Sequence, residues 1–144
     1  MNIFIPKKED ISSCAEVYIS AYGAEPWNEK YDKQSVEKYI SDYLGSKTKQ
    51  CFAAEKNGKI IGIALGIIVP SINIPFLRIE DFCISAEEHG KGLGTEFIKL
   101  VFEKAKELGC DSALLGTQKD FPSHKFYLKN GFSEVDSVLL YKEL

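Results

Sequence analysis

Residues 89–95 read His-Gly-Lys-Gly-Leu-Gly-Thr, with glycine at three alternate positions, Gly90, Gly92 and Gly94. Two strongly patterned stretches flank this segment. Before it, Phe76 to Ile84 carries Leu77, Ile79 and the run Phe82-Cys83-Ile84, which predicts a strand lying centrally in a sheet. After it, Phe97, Ile98, Val101, Ala105 and Leu108 recur at helical spacing, and Gly109 is placed to end that helix. A strand, a glycine turn and an amphipathic helix in that order point to an α/β layer. Glycines let backbone N–H groups approach a ligand without a Cβ in the way, and the helix aims its positive end at the same place. The turn is therefore an anion cradle suited to a pyrophosphate. It is not a Walker A loop, since Gly92 follows Lys91 where Ser or Thr is needed and Ser85 stands at the first glycine position. It is not a dinucleotide fingerprint either, because Thr95 and Phe97 occupy the third-glycine positions of the two candidate frames.

The rest of the chain completes the pattern. Ile3 to Pro6 reads as a short strand. Ile11, Ala15, Val17, Tyr18 and Ala21 mark a helix, broken by Gly23 and Pro26. Val36, Tyr39, Ile40, Tyr43 and Leu44 mark a second, ending near Gly45. Cys51 to Glu55 and Lys59 to Val69 are strands joined at Asn57-Gly58, a hairpin signal because both residues tolerate positive φ. Ala113 to Gly116 is a strand, and Pro122 to Asn130 a short helix with proline in its first turn. Phe132 to Val135 and Val138 to Lys142 read as a final hairpin. The predicted order is β-α-α-β-β-β-α-β-α-β-β, a mixed and mostly antiparallel sheet flanked by helices, within one domain over residues 1–144.

Composition excludes several classes. Hydrophobic residues make up 44% and charged residues 27%, with a net charge of -3. No basic stripe with interleaved aromatics is present, so no nucleic acid is expected as a partner. No apolar run reaches the ~20 residues that span a membrane, and Met1 to Asp10 lacks the apolar region of a signal peptide. Cys14, Cys51, Cys83 and Cys110 are widely separated, with no zinc-ligand spacing. They read as buried thiols in a reducing compartment, so no metal site and a cytoplasmic location are expected.

The strand, the segment from His89 to Gly94 and the following helix resemble the coenzyme-A loop of the GNAT superfamily of N-acetyltransferases, whose pattern is [QR]-x-x-G-x-[GA]. His89 departs from the usual Gln or Arg. A second segment, Ser123-x-x-Phe126-Tyr127-x-Lys129-x-Gly131-Phe132, is similar to that family's A-x-x-F-Y-x-K-x-G-F, with Ser123 at the usual Ala and Asp120 at a frequent Asn. The resemblance implies acetyl-CoA as co-substrate. Its pyrophosphate would lie on His89, Gly90, Lys91, Gly92, Leu93, Gly94 and Thr95, its pantetheine arm along Phe82, Cys83 and Ile84, with Ser123, Phe126 and Lys129 nearby. His89 departs in side chain but is still expected to offer its backbone N–H.

The resemblance also implies direct attack by an amine on the thioester. An alkylamine has a pKa of ~10.4, so freeing its lone pair at pH 7 costs roughly 4–5 kcal/mol. A carboxylate near the cleft would take that proton. Glu80 and Asp81 are the candidates. Strand alternation implies that only one of them faces the site, with Glu80 preferred. A backbone N–H of Phe82, Cys83 or Ile84 would stabilise the carbonyl oxygen if the strand splays there. Tyr127 is the candidate acid for the leaving thiolate.

Tyr22 to Lys33 joins the first two helices, a region that lines the acceptor cleft in that family. Its Glu25, Trp27, Glu29 and Tyr31 suit a cationic small-molecule amine through ion pairing and cation–π contact. The Pro26-Trp27-Asn28-Glu29 stretch is similar to small bacterial members resembling aminoglycoside N-acetyltransferases. Protein N-termini and lysines stay open as acceptors. A coenzyme-A-binding sensor or interaction module without turnover is the competing class, and a nucleotide-phosphate-binding protein a further one. A homodimer through the C-terminal strands is a further expectation, since they would leave an exposed edge.

Overall fold

The computed structural model describes residues 1–144. Five strands form one sheet: β1 (Asn2–Phe4), β2 (Lys49–Lys56), β3 (Lys59–Val69), β4 (Phe76–Ile84) and β5 (Ala113–Leu115), side by side in chain order. The first four run antiparallel, and β5 joins β4 in parallel. Helices α1 (Ile11–Gly23) and α2 (Lys33–Ser41) separate β1 from β2. Helix α3 (Leu93–Glu107) crosses from β4 to β5, and α4 (Pro122–Lys129) follows β5. This is the α/β, mostly antiparallel arrangement that the sequence predicts.

The sheet is buried on both faces, which is why β3 reads as a nearly continuous apolar run. On one face Cys51, Ala53, Ile63, Leu65 and Cys83 pack against Cys14, Val17, Tyr18, Val36 and Ile40 of α1 and α2. On the other, Phe52, Ala54, Ala64, Leu77 and Ile79 pack against Phe97, Val101 and Ala105 of α3. Neighbouring residues thus serve opposite cores, as strand alternation requires. The β2–β3 hairpin turns at Asn57 and Gly58, with φ of 53° and 74°, the left-handed pair that a tight hairpin needs. Asp32 caps α2 by accepting from the Ser35 amide.

Gly62 sits where the α3-side core is tightest. A Cβ there would stand 2.6 Å from Ile84 Cδ1 and 3.1 Å from Phe97 Cδ1. Gly62→Ala is expected to cost about 1–3 kcal/mol through overpacking, visible as a lower Tm in thermal denaturation. An unchanged Tm would mean that Ile84 yields without cost.

Three boundaries differ from the sequence reading. β1 ends at Phe4 rather than Pro6, since proline has no N–H for the ladder. α2 ends at Ser41, although Tyr43 in the following turn stays buried. Leu108 is 43% exposed at the end of α3 and lies outside its buried stripe.

Two larger corrections bear on the site. First, β4 carries a bulge. Leu65 pairs with Asp81 and Gly66 with Ile79, so Glu80 has no partner. The extra residue breaks the alternation. Ile79 and Phe82 both pack on the α3 side, which leaves Glu80 and Asp81 together on the α1/α2 side. The expectation that only one carboxylate faces that way fails for this reason. Second, the C-terminal hairpin is not formed. The chain beyond α4 contains no strand, and Val138, Leu139, Leu140 and Tyr141 are 82–96% exposed. A two-stranded hairpin alone is marginal in water, and β5 offers only three residues of edge for it to join.

Candidate active site

The site begins where β4 and β5 part. They pair only from Leu77 to Ile79 with Ala113 to Leu115. From Asp81 to Ile84, β4 still pairs with β3, and from Glu80 onward it has no strand on its other side. The amides turned away from β3 over those five residues therefore lie along an open edge. This is the splay that the sequence reading required near Phe82, Cys83 and Ile84.

The glycine turn closes one end of this opening. Gly90 and Gly92 both adopt φ of 76°, and a Cβ at either would meet nothing within 4 Å. Packing does not demand these glycines. They leave open space at the start of α3. No backbone acceptor takes the N–H groups of Gly90, Lys91 or Gly92, and the first amides of α3, from Leu93 to Thr95, have no intrahelical partner. Gly94 is different. Its missing Cβ would lie 3.3 Å from Phe126 Cε2, so this glycine lets α3 and α4 approach.

His89 departs from the expected row. Its N–H donates to the Ala86 carbonyl at 3.2 Å within a short 3-10 turn. Its ring nitrogen Nε2 lies 2.8 Å from the Ile84 carbonyl oxygen. Both groups are spent on holding the turn against the end of β4, so the amides left without a partner are those of residues 90–95. Lys91 pairs with Glu88 at 3.1 Å.

Tyr127 stands at the head of the splay. Its ring lies 6.4 Å from Phe82, 5.2 Å from Phe126 and 5.4 Å from Phe132. Burial raises its phenol pKa well above the usual value, and Cys83 and Asp81 add to the rise, so the hydroxyl keeps its proton. Phe126 stacks on Phe82, which stacks in turn on Phe97. Ser123 bonds to Thr117, hydroxyl to hydroxyl at 2.9 Å, and Lys129 is exposed. Cys83 is buried, and desolvation pushes its thiol up strongly, which removes it as a nucleophile. All four cysteines are buried and unpaired.

The two carboxylates on the bulge have different partners. Glu80 pairs with Arg78. Asp81 accepts from three phenols: Tyr18 at 3.2 Å and Tyr22 at 3.0 Å on Oδ1, and Tyr39 at 2.7 Å on Oδ2. Tyr39 in turn shares a bond with Tyr43 at 3.2 Å. The sequence reading placed Tyr18, Tyr39 and Tyr43 on apolar helix faces and missed this array. The available signal was the number of tyrosines on facing stripes of two adjacent helices, since a buried phenol needs an acceptor.

Trp27 and Tyr31 join the same aromatic wall. Trp27 packs edge-on between Tyr22 and Phe121 at 5.8 and 6.0 Å, and Tyr31 edge-on to Tyr18 at 5.6 Å. Glu25 and Glu29 are exposed and make no side-chain bond to the wall. A groove of about 1050 Å³ runs along β5 to where β4 and β5 part, and Glu80 and Tyr127 line it together with Phe102, Leu114, Phe132 and Leu139. It lies beside the strand edge that the unformed hairpin leaves open. No helix is long and apolar enough to cross a membrane.

Comparison with known proteins agrees with this geometry. A tRNA(Met) cytidine acetyltransferase of Saccharolobus solfataricus is 29% identical over 98 residues, 56% of this chain. The chain spans only 13% of the length of that relative. The aminoglycoside antibiotic 6′-N-acetyltransferase AAC(6′)-IG of Acinetobacter haemolyticus superposes with a TM-score of 0.80 at 17% identity, covering 100% of this chain and 99% of its own. A structure described as a possible acetyltransferase of Clostridium difficile 630 gives a TM-score of 0.85 at 15% identity, over 99% and 97% of the two chains. At such identities the likeness establishes the fold. Residues 11–132, most of the chain, match the acetyltransferase (GNAT) family, and the protein belongs to it.

Proposed function

We propose that this acetyltransferase moves an acetyl group from acetyl-CoA to a primary amine of a small, cationic molecule by direct attack. One observation carries the reading. Glu80 and Tyr127 line one groove where β4 and β5 part, and the open edge of β4 leads from there toward the unpartnered amides of the glycine turn. The residues fit acetyl-CoA: Gly90 to Thr95 would hold the pyrophosphate, and the β4 edge from Phe82 to Ile84 the pantetheine arm. Bound there, acetyl-CoA supplies the activated acyl group. Glu80 takes a proton from the arriving ammonium, and Tyr127 holds a proton on Oη for the departing thiolate. The aromatic wall with Trp27 and Tyr31, rimmed by Glu25 and Glu29, receives the acceptor. An aminoglycoside-like polyamine fits this chemistry and accords with the named substrate class of the Acinetobacter relative. The unpaired buried thiols support a cytoplasmic setting.

The test is thiol release from acetyl-CoA against a panel of amines, beside coenzyme-A binding by calorimetry. Amine-dependent release is expected. Tight coenzyme-A binding without release for any amine would instead favour a sensor or interaction module.

We further propose a homodimer formed through the C-terminal segment. Four consecutive apolar residues, Val138 to Tyr141, are almost fully exposed beside an open strand edge. Removal of residues 136–144 is expected to yield a monomer in sedimentation. A full-length chain that is already monomeric at high concentration would refute this.

A further inference from the structure

Asp81 is a partly buried carboxylate with three neutral donors and no cation. None of the ion pairs in the structure includes it, and its neighbour Arg78 is taken by Glu80. Lys49 lies over the ring of Tyr43, the phenol that shares a bond with Tyr39, at 5.4 Å. A charge withdrawn from water without a counter-ion is costly. The phenols offset part of that cost but leave the charge unneutralised. An ionised carboxylate has about four lone-pair sites. Two phenols occupy Oδ1 and one occupies Oδ2, so one site on Oδ2 stays free. The rings around it are a further attraction for a cation: Tyr18 and Tyr22 lie 4.5 Å apart, Tyr18 and Tyr39 6.2 Å.

We propose that Asp81, clasped by Tyr18, Tyr22 and Tyr39, is the seat for the acceptor's ammonium group, and that its neighbour Glu80 removes the proton. A single free lone pair favours the compact, one-point charge of an alkylammonium. The planar fork of a guanidinium needs two acceptor sites side by side. The bulge makes the division of labour feasible, because it sets both carboxylates on one face of the sheet. At Glu80 one N–H bond breaks, an O–H bond forms on its carboxylate, and the lone pair stays on the nitrogen. With three hydroxyl protons already directed at it, Asp81 is built to hold position.

The kinetic consequence rests on the acetyl-transfer reading above, whereas the binding consequence does not. Calorimetry with n-butylamine at pH 7, without acetyl-CoA, tests the seat itself. Wild-type protein is expected to bind n-butylammonium at least tenfold more tightly than n-butylguanidinium, and Asp81→Asn to lose at least tenfold for the ammonium. Tyr39→Phe keeps the carboxylate and the ring but frees a second site on Oδ2. It is expected to bind n-butylammonium at least as well as wild type, and it serves as the test if Asp81→Asn fails to fold. Equal affinity for the two cations, or a tenfold loss in Tyr39→Phe, would overturn the seat. In turnover, Asp81→Asn is expected to raise the amine KM at least tenfold with a smaller change in kcat, and Glu80→Gln the reverse. An Asp81→Asn variant with unchanged KM and abolished kcat would make Asp81 the base and refute the assignment. Absence of turnover in wild type with the ammonium preference intact would count against acetyl transfer alone.

Discussion

Tyr127→Phe is expected to lower kcat by about 10²-fold or more while leaving the KM for acetyl-CoA within a few-fold of wild type. The substitution removes one oxygen from a ring that Phe82, Phe126 and Phe132 hold on three sides. Those contacts do not involve the hydroxyl, so the fold and the glycine cradle should survive unchanged. What is lost is the proton on Oη. Burial, with Cys83 and the Asp81 charge adding to it, disfavours the phenolate, so in wild type the acid keeps its proton through the neutral range. The deficit in the variant should therefore be the same from pH 6 to pH 9. Steady-state kinetics across that range checks the claim. Full turnover in Tyr127→Phe would remove the acid role and leave Tyr127 as a packed aromatic.

The second large effect is alkaline unfolding. Desolvation by burial raises the Tyr18, Tyr22 and Tyr39 phenols, with Asp81 adding to each rise. Burial likewise lifts the Cys51 and Cys83 thiols strongly, and the Cys14 thiol to about 12. Raised folded-state values set the sign. Below 9.0 for the thiols and 10.0 for the phenols, folded and unfolded chains hold the same protons and stability is fully present. Above those values the unfolded chain releases protons that the folded chain keeps, and stability falls as pH climbs toward the folded values. Each deeply buried group, such as Cys51 or Cys83, contributes a slope of up to ~1.4 kcal/mol per pH unit, and the partly buried phenols contribute less. A domain stable by about 5–15 kcal/mol does not survive several such slopes for long. Far-UV circular dichroism should collapse cooperatively at roughly pH 10–12, with phenolate absorbance rising in the same transition. Phenolate absorbance that develops fully while the dichroism stays native would show that the tyrosine array is open to solvent.

The same array explains where sequence reading stopped. The Asn57-Gly58 hairpin, the α3 stripe and the open glycine turn were legible because each depends on local rules: left-handed φ at two adjacent residues, a 3.6-residue period, and the absence of Cβ. Tyr18 and Tyr39 obeyed the helical period too, and for that reason looked like ordinary core. Their common acceptor lies 63 and 42 residues further along the chain, and no local pattern reports it. The bulge at Glu80 was equally invisible, because it arises from the register between β3 and β4. Alternation within β4 alone gave the wrong face for one carboxylate. His89 was misjudged in a similar way. Its N–H and ring look available in sequence, yet a 3-10 turn and the end of β4 consume both.

The C-terminal hairpin marks the opposite failure. Val138 to Lys142 has strand-like composition, but a strand also needs a neighbour to receive its hydrogen bonds, and β5 presents only three residues. What the amino-acid sequence determined by itself was the order of the elements from β1 to α4 and the open glycine turn, since propensity, periodicity and glycine geometry act over a few residues. The tertiary structure alone decided which carboxylate is paired, which is clasped by phenols and left without a cation, and which backbone amides stay free. Those properties belong to groups far apart in the chain, and they exist only once strand register and helix packing bring the groups within hydrogen-bond distance.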